Sequence, residues 1–182
     1  MGIVINVRTV HTAGLDDDEL RQIRTLLDEA FEGSFTAADW DHTLGGMHAV
    51  VHEDGSIVAH GAVVQRRLIH RGRAIRTGYV EGVAVRADRR RQGYAAAVMN
   101  ELERIIRTAY RLGALSASDR AVGFYLARQW RAWKGPTSVL APSGITRTPE
   151  DDGSTFVLFT DSEVRPEVTD ALICDWREGD VW

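Results

Sequence analysis

The sequence predicts an α/β fold, a sandwich of helices on a mixed, mostly antiparallel sheet, and three observations carry that reading. Residues 47–53 and 56–70 are strand-like stretches on either side of Asp54-Gly55, a dipeptide that favours a tight hairpin. Ala95, Val98, Met99, Leu102, Ile105, Ile106 and Ala109 recur at the spacing of an amphipathic helix. Strands and helices follow the order β-α-β-β-β-α-β-α-β-β, too irregular for a doubly wound nucleotide-binding sheet. With 182 residues, the chain is long enough for one domain with a real core, over 1–182, and short for two.

Taken in order, residues 5–13 read as a first strand and residues 16–33 as a helix with Leu20, Ile23, Leu27 and Phe31 on one face. The acidic start of that helix suits its positive N-terminus, and Gly33 suits a stop. Residues 36–44 form a short helix or a loop. After the hairpin the chain turns back at Arg71-Gly72-Arg73 into a strand over 74–86, and the helix then begins near Gln92. Residues 114–118 are a short strand, and 121–130 a second helix carrying Phe124, Tyr125 and Leu126. Residues 136–142 and 154–160 are late strands, separated by a polar loop over 143–153. No internal repeat, low-complexity tract or linker interrupts the chain.

Composition narrows the function classes. A hydrophobic fraction of 44% and a charged fraction of 26% are ordinary for a globular protein. The net charge of −4 argues against a non-specific nucleic-acid binder. Cys174 is the one cysteine, so no disulfide forms within the chain, which fits a reducing compartment. The start lacks a basic region followed by an apolar run. Asn6 stands where a myristoylation motif at Gly2 requires Ser or Thr. No apolar run approaches the roughly 20 residues of a membrane span. The expectation is a cytoplasmic protein without a membrane or nucleic-acid partner. Lys134 is the one lysine, and the arginine preference reads as a coding bias.

The stretch GYVEGVAVRADRRRQGYAAAVMNELERII, residues 78–106, carries the chemistry. A strand runs into three arginines and a glycine, then directly into a helix. The first-turn amides of a helix lack intrahelical acceptors, and with the helix dipole they form a natural anion site. Gly93 leaves the backbone open to a phosphate, while Arg90 and Arg91 add planar countercharge. Arg90-x-x-Gly93-x-Ala95 therefore reads as a diphosphate cradle, against the alternative of a solvated basic turn.

This pattern resembles the coenzyme A motif of the GCN5-related N-acetyltransferases (GNAT). The resemblance implies acetyl-CoA contacts from Val83, Ala84 and Val85 along the strand, and from Arg90, Arg91, Gln92, Gly93, Tyr94 and Ala95 around the pyrophosphate. FYLARQW is similar to the superfamily's Tyr-x-x-x-Gly-aromatic segment, with Tyr125 and Trp130 in place and Gln129 where glycine is usual. DWDHTLGGMHAV, QRRLIHRG, GYVEGVAVRAD, GPTSVLAP, RTPEDDG and CDWREGDVW further resemble the aminoglycoside 2′-N-acetyltransferases. That family implies acetyl transfer to the 2′-amine of gentamicin-, tobramycin- and kanamycin-B-like drugs, with resistance as the outcome, in a homodimer.

An ammonium has no lone pair, so the acceptor amine must lose a proton before attack. Glu81, costly to bury without purpose, is the expected base and substrate anchor, its alternative being a partner for an arginine. The resemblance implies the Val83 N–H as oxyanion donor and Tyr125 as the acid for the departing thiolate. It also brings the tail to the acceptor: Trp176 and Trp182 can pack, presenting Gly179, Asp180 and the Trp182 carboxylate to a polycation, unless the tail packs on a neighbour or the core. Ser34, Asp39, Gly82, Ser116 and Asp151 complete the implied acceptor contacts, Ser34 replacing an aspartate expected in relatives. His42, His48, His52 and His60 lack close ligand spacing, so no metal is expected. Without a histidine matched to Cys174, direct transfer in a ternary complex is favoured over an acetyl-enzyme. Two alternatives stay open: another cationic acceptor (a polyamine, a peptide or a cell-wall amino sugar), or a non-catalytic CoA-binding module.

Overall fold

The computed structural model describes residues 5–182, so Gly2 lies outside the described residues. The chain divides into two compact units. The first runs to Val64 and resumes over Val80–Ile105; the second comprises Gln65–Tyr79 and Ile106–Trp182.

In the first unit, β1 (Arg8–His11) pairs antiparallel with β2 (Met47–Glu53), and β2 with the first part of β3 (Ser56–His70). Asp54 and Gly55 both take positive φ, 50° and 78°, the backbone that a two-residue hairpin turn demands. The helix α1 (Asp17–Ala30) opens with a capping box, Asp16 accepting from the Glu19 N–H and Glu19 from the Asp16 N–H, with Asp17, Asp18 and Glu19 in its first turn. Its Ile23, Leu26 and Leu27 pack with Val50, Ile57 and Ala84 into one core cluster. Phe31 does not join that face. It is the C-cap residue, 40% exposed, where the chain has already left the helix, and its ring meets Phe35. The segment left between helix and loop is a helix, α2 (Ala37–Thr43), made possible by a second capping box between Thr36 and Asp39.

The strand β4 (Arg73–Val85) ends in this unit and leads through a 3₁₀ turn, Ala87–Arg89, to α3 (Tyr94–Ala109). Helix α3 starts two residues later than the pattern suggests, because Arg91 and Gly93 adopt positive φ, 60° and 91°. Val98, Met99 and Leu102 are fully buried. Gly61 of β3 makes room for two of them: a Cβ there would lie 2.9 Å from both Val98 Cγ1 and Leu102 Cδ1.

The second unit holds the sheet order β6-β9-β5-β4-β3-β10-β7-β8, with β5 (Leu112–Ser116), β6 (Arg131–Ala132), β7 (Thr137–Ala141), β8 (Gly144–Arg147), β9 (Thr155–Phe159) and β10 (Leu172–Asp175). β4 and β5 are parallel, as are β7 and β10, while β5–β9, β3–β10 and β7–β8 are antiparallel, so the sheet is mixed as expected. The short α4 (Val122–Ala127) follows β5. Trp130, Trp133, Phe156, Leu112 and Leu115 are among its fully buried side chains.

The second unit also departs from the sequence reading. β5 begins at Leu112, with the apolar pair before Ala114 included. The expected polar loop contains β8, three of whose four residues are exposed; an edge strand of this kind shows no apolar alternation. β6 and β10 were not expected. Two residues are too few for a periodic signal, and β10 is specified by pairing with β3 and β7, partners distant in sequence. Among the described residues, no helix is long and apolar enough to cross a membrane.

Candidate active site

In the first unit, β4 carries Glu81, half-buried, and Gly82, whose φ is +55°. A Cβ at Gly82 would meet Thr43 Cγ2 at 3.0 Å and Leu27 Cδ2 at 3.3 Å, so both conformation and space call for glycine. Val83, Ala84 and Val85 follow to the end of the strand. The basic turn folds back on that end: Arg90 Nε donates to the Val85 carbonyl at 3.3 Å. Arg89 Nε donates to Glu53 at 2.7 Å, and the Tyr94 hydroxyl donates to the other oxygen of the same carboxylate. Glu53 thus clamps both sides of the turn.

The first intrahelical bond of α3 runs from the Ala97 N–H to the Gly93 carbonyl, 2.9 Å. The amides of Tyr94, Ala95 and Ala96 precede it and belong to the open first turn. Arg90, Arg91, Gln92 and Gly93 are exposed, Gln92 steadied by its bond to the Asp88 carbonyl at 3.0 Å. At Gly93 the nearest atom to a Cβ is Ile5 Cδ1 at 3.6 Å. An open helix N-terminus with two solvent-facing guanidiniums fits a diphosphate, so the residues expected for coenzyme A suit that group.

Ser34 and Asp39 occupy the α1–α2 connection. Ser34 donates to the Phe31 carbonyl at 2.6 Å, and Asp39 accepts from the Thr36 N–H and hydroxyl, both at 2.8 Å. Each residue has a structural task at a helix end in addition to any ligand contact.

The second unit gathers the other expected residues. Asp151, Gly179 and Asp180 line a hollow of about 500 Å³, with Glu150, Arg147 and Trp176. Burial, reinforced by the charges of Asp180 and Glu150, pushes the Asp151 carboxyl up to about 6. Its neighbour Asp152 behaves oppositely: Arg147 and the Thr137 N–H and hydroxyl hold it well below the carboxylate range. Asp152 locks the loop, whereas Asp151 sits among acidic neighbours with a bond to Thr148. Ser116 reaches Ser154 at 3.4 Å, whose hydroxyl donates to the Asp151 carbonyl at 2.9 Å.

Trp182 is buried, its indole N–H donating to Thr148 Oγ1 at 3.0 Å and its backbone N–H to Asp180 at 3.1 Å. Arg177 donates to the Trp182 backbone oxygen at 3.0 Å. Trp176 is 45% exposed and lines the hollow. Tyr125 lies on α4 in an aromatic cluster with Phe124, Trp130 and Phe156, at centroid distances of 5.3, 6.0 and 6.5 Å. Gln129 adopts φ +70°, a left-handed backbone that favours glycine, at a strain of about 1 kcal/mol. Cys174 is buried, its thiol donating to the Val181 carbonyl at 3.2 Å, and burial pushes it up to about 11.

Sequence reading missed one constellation. His48 Nδ1 and His60 Nε2 lie 2.9 Å apart in the core, both fully buried. His48 Nε2 lies 2.8 Å from Thr12 Oγ1, and His60 Nδ1 lies 2.8 Å from the Gly82 carbonyl oxygen. Spacing in sequence hides the pair, but the hairpin register exposes it. Val50 faces His60 and His48 faces Ala62, making the histidines diagonal neighbours on one face. Burial lowers His48 to about 4 and His60 to about 3. Among the described residues no cluster of three or more His, Cys, Asp or Glu could hold a metal.

A curled mixed sheet whose strand end meets an open, arginine-flanked helix N-terminus defines the class of acyl-CoA N-acyltransferases. A family model described as an acetyltransferase (GNAT) domain matches residues 11–133. An aminoglycoside 2′-N-acetyltransferase of Mycolicibacterium fortuitum is 55% identical over 183 residues, covering 100% of this chain and 94% of that protein. The chain belongs to that family of GNAT acetyltransferases. The fold is similar to that of the GNAT protein YhbS of Escherichia coli, solved in complex with CoA, at a TM-score of 0.66 and 14% identity over 98% of this chain and 93% of that one. It is also similar to Escherichia coli ElaA, at a TM-score of 0.60 and 13% identity over 85% and 99% of the chains.

The histidine pair links stability to pH with a definite sign. Both folded values lie below the unfolded value near 6.5, so their stabilising contribution is complete above about pH 6.5 and is lost as pH falls toward 4 and 3. Asp151, raised to about 6, acts in the opposite sense over part of that range, but one carboxylate opposes two imidazoles. The melting temperature is therefore expected to fall between pH 6.5 and 4.5, before most carboxylates titrate. The drop becomes shallower in His48→Asn; scanning calorimetry across this range measures both.

Proposed function

We propose that this protein transfers acetyl from acetyl-CoA directly to the 2′-amine of aminoglycosides of the gentamicin, tobramycin and kanamycin B type, conferring resistance, with residues 1–182 acting as one domain. The observation that carries the reading is the 55% identity, along the whole chain, to an aminoglycoside 2′-N-acetyltransferase. Bound acetyl-CoA supplies a thioester that a neutral amine can attack. The exposed Arg90 and Arg91 and the first amides of α3 hold its pyrophosphate, and the backbone of Val83, Ala84 and Val85 aligns its pantetheine arm.

Glu81 takes the proton of the acceptor ammonium, directly or through a water, leaving a lone pair for attack. The Val83 N–H donates to the thioester oxygen as negative charge develops there. The Tyr125 hydroxyl gives a proton to the departing thiolate, and the tyrosinate is made good by the second proton that the attacking nitrogen loses as it becomes the amide. Buried Cys174, held as a thiol, has no part in this, which supports direct transfer. It also suits the reducing cytoplasm. Asp151, Asp180 and the backbone oxygens of Gly179 and Trp182 receive the cationic sugar, with Ser34, Asp39, Gly82 and Ser116 as further contacts. The cation relieves the repulsion among Glu150, Asp151 and Asp180, which supports a polycationic acceptor over a neutral one.

The test is regiochemistry. Incubation with acetyl-CoA and gentamicin is expected to give a product whose NMR spectrum places the new acetyl on the 2′-nitrogen. Acetylation of spermidine or a peptide amine in its place would overturn the antibiotic assignment. Glu81→Gln should lower kcat at pH 7 by roughly 10²-fold, with partial recovery at higher pH.

Asp151 contributes a second expectation. Its carboxyl ionises near pH 6, and only the ionised form attracts an ammonium. KM for gentamicin should fall as pH rises from 5 to 7, and Asp151→Asn should flatten that dependence.

A further inference from the structure

We infer that Thr12, His48 and His60 are positioning residues for acetyl transfer, acting through the Gly82–Val83 peptide group. Their hydrogen-bond directions follow from the chemistry at one end. A carbonyl oxygen only accepts, so His60 Nδ1 carries the proton that it shares with Gly82 over 2.8 Å. Buried His60 is neutral, so its Nε2 is a lone pair and accepts from His48 Nδ1–H at 2.9 Å. His48 is neutral for the same reason, and its Nε2 accepts from the Thr12 hydroxyl at 2.8 Å. The Thr12 oxygen in turn accepts from the Gly45 N–H at 2.9 Å. Four bonds thus run in one direction, from the Gly45 amide to the Gly82 carbonyl.

The carbonyl terminus decides what the chain can do. It takes up no proton at neutral pH, so this is not a conduit for the acceptor's proton. It is a row of aligned dipoles whose positive end presses on one oxygen. Such rows strengthen cooperatively, by ~10–30% per bond. The Gly82 carbonyl and the Val83 N–H belong to one peptide unit, and the described chain contains no cis peptide. In a trans unit the N–H points opposite to the C=O, so donation from His60 polarises Val83 N–H and fixes its direction. Gly82 itself has left-handed φ, and a Cβ there would press on Leu27 and Thr43, so no bulkier residue fits at this bend. The titratable groups bearing on the pair are His11, from β1, on His48, and His48 on His60; Glu81 is next to Gly82 in sequence.

The inference deepens the proposal above and rests on its assignment of Val83 N–H as oxyanion donor. Removing such a donor costs about 10²–10³ in kcat in other enzymes, and weakening one costs less. Two substitutions separate the ends of the His60 ring. His60→Asn keeps a donor near the Nδ1 position, facing Gly82. His60→Gln keeps a group near Nε2, facing His48, and withdraws the donor from Gly82. The single-turnover acetylation rate with acetyl-CoA and gentamicin is expected to stay within about threefold of wild type in His60→Asn. In His60→Gln it is expected to fall about tenfold, with the Kd for acetyl-CoA unchanged. The Val83 amide proton resonance, in ¹⁵N-labelled protein, should move upfield in His60→Gln and stay in His60→Asn.

Equal rates in the two variants, or an unmoved Val83 resonance in His60→Gln, would overturn the inference, since filling the core requires only bulk. If His60→Gln does not fold, Thr12→Val removes the hydroxyl donor from the partly exposed end, and an unmoved Val83 resonance there overturns it equally. Should the wild-type protein acetylate no amine, the catalytic assignment fails separately, while the Val83 resonance still reports whether His60 polarises the peptide.

Discussion

The carbonyl of Gly82, at a half-buried bend of β4, is hydrogen-bonded by an imidazole in the core. At this residue β4 turns to φ +55°, and a side chain there would collide with Leu27 and Thr43. The strand still has to deliver Glu81 on one side of the bend and the backbone of residues 83–85 on the other. The His60 imidazole adds a side-chain hydrogen bond to that peptide unit. The hairpin of β2 and β3, the helix that supplies Leu27 and the short helix that supplies Thr43 all converge on that requirement.

Charge in this protein is sorted by task. In the first unit, arginines stand at the open end of α3, and Glu53 holds the turn from behind through Arg89 and Tyr94, leaving Arg90 and Arg91 toward solvent. In the second, three carboxylates share a hollow with Arg147, which is already committed to Asp152. Of the three, Asp151 is shifted upward by burial and by its acidic neighbours. The basic turn and the acidic hollow thus carry opposite charge in separate units.

Strain is placed with similar economy. Arg91 and Gln129 both adopt left-handed backbone, at φ 60° and 70°. The first belongs to the turn that opens the helix N-terminus. The second lies in the turn between Tyr125 and Trp130, whose rings meet in the core.

The strand-turn-helix of residues 78–106, the hairpin at Asp54-Gly55 and the helix face of Val98, Met99 and Leu102 were legible from the sequence alone. Each depends on neighbours a few residues away: an αL turn, an i, i+4 spacing, a glycine before a helix. The resemblance that assigns the chain's chemistry is legible for the same reason, since its motifs are contiguous. β8 and β10 were not legible. An exposed edge strand has no apolar rhythm, and β10 is a strand only because β3 and β7 flank it. The roles of Asp151 and Asp152 could not be separated within EDDG, where two identical side chains stand side by side; only Thr137 and Arg147, brought in by folding, distinguish them. The histidine relay is the sharpest case. Four residues spread from Thr12 to Gly82 form one chain, directed by the Gly82 carbonyl, which only accepts, and by burial, which keeps both rings neutral. Protonation state is a property of the environment and not of the letter in the sequence, so tertiary structure alone decided it.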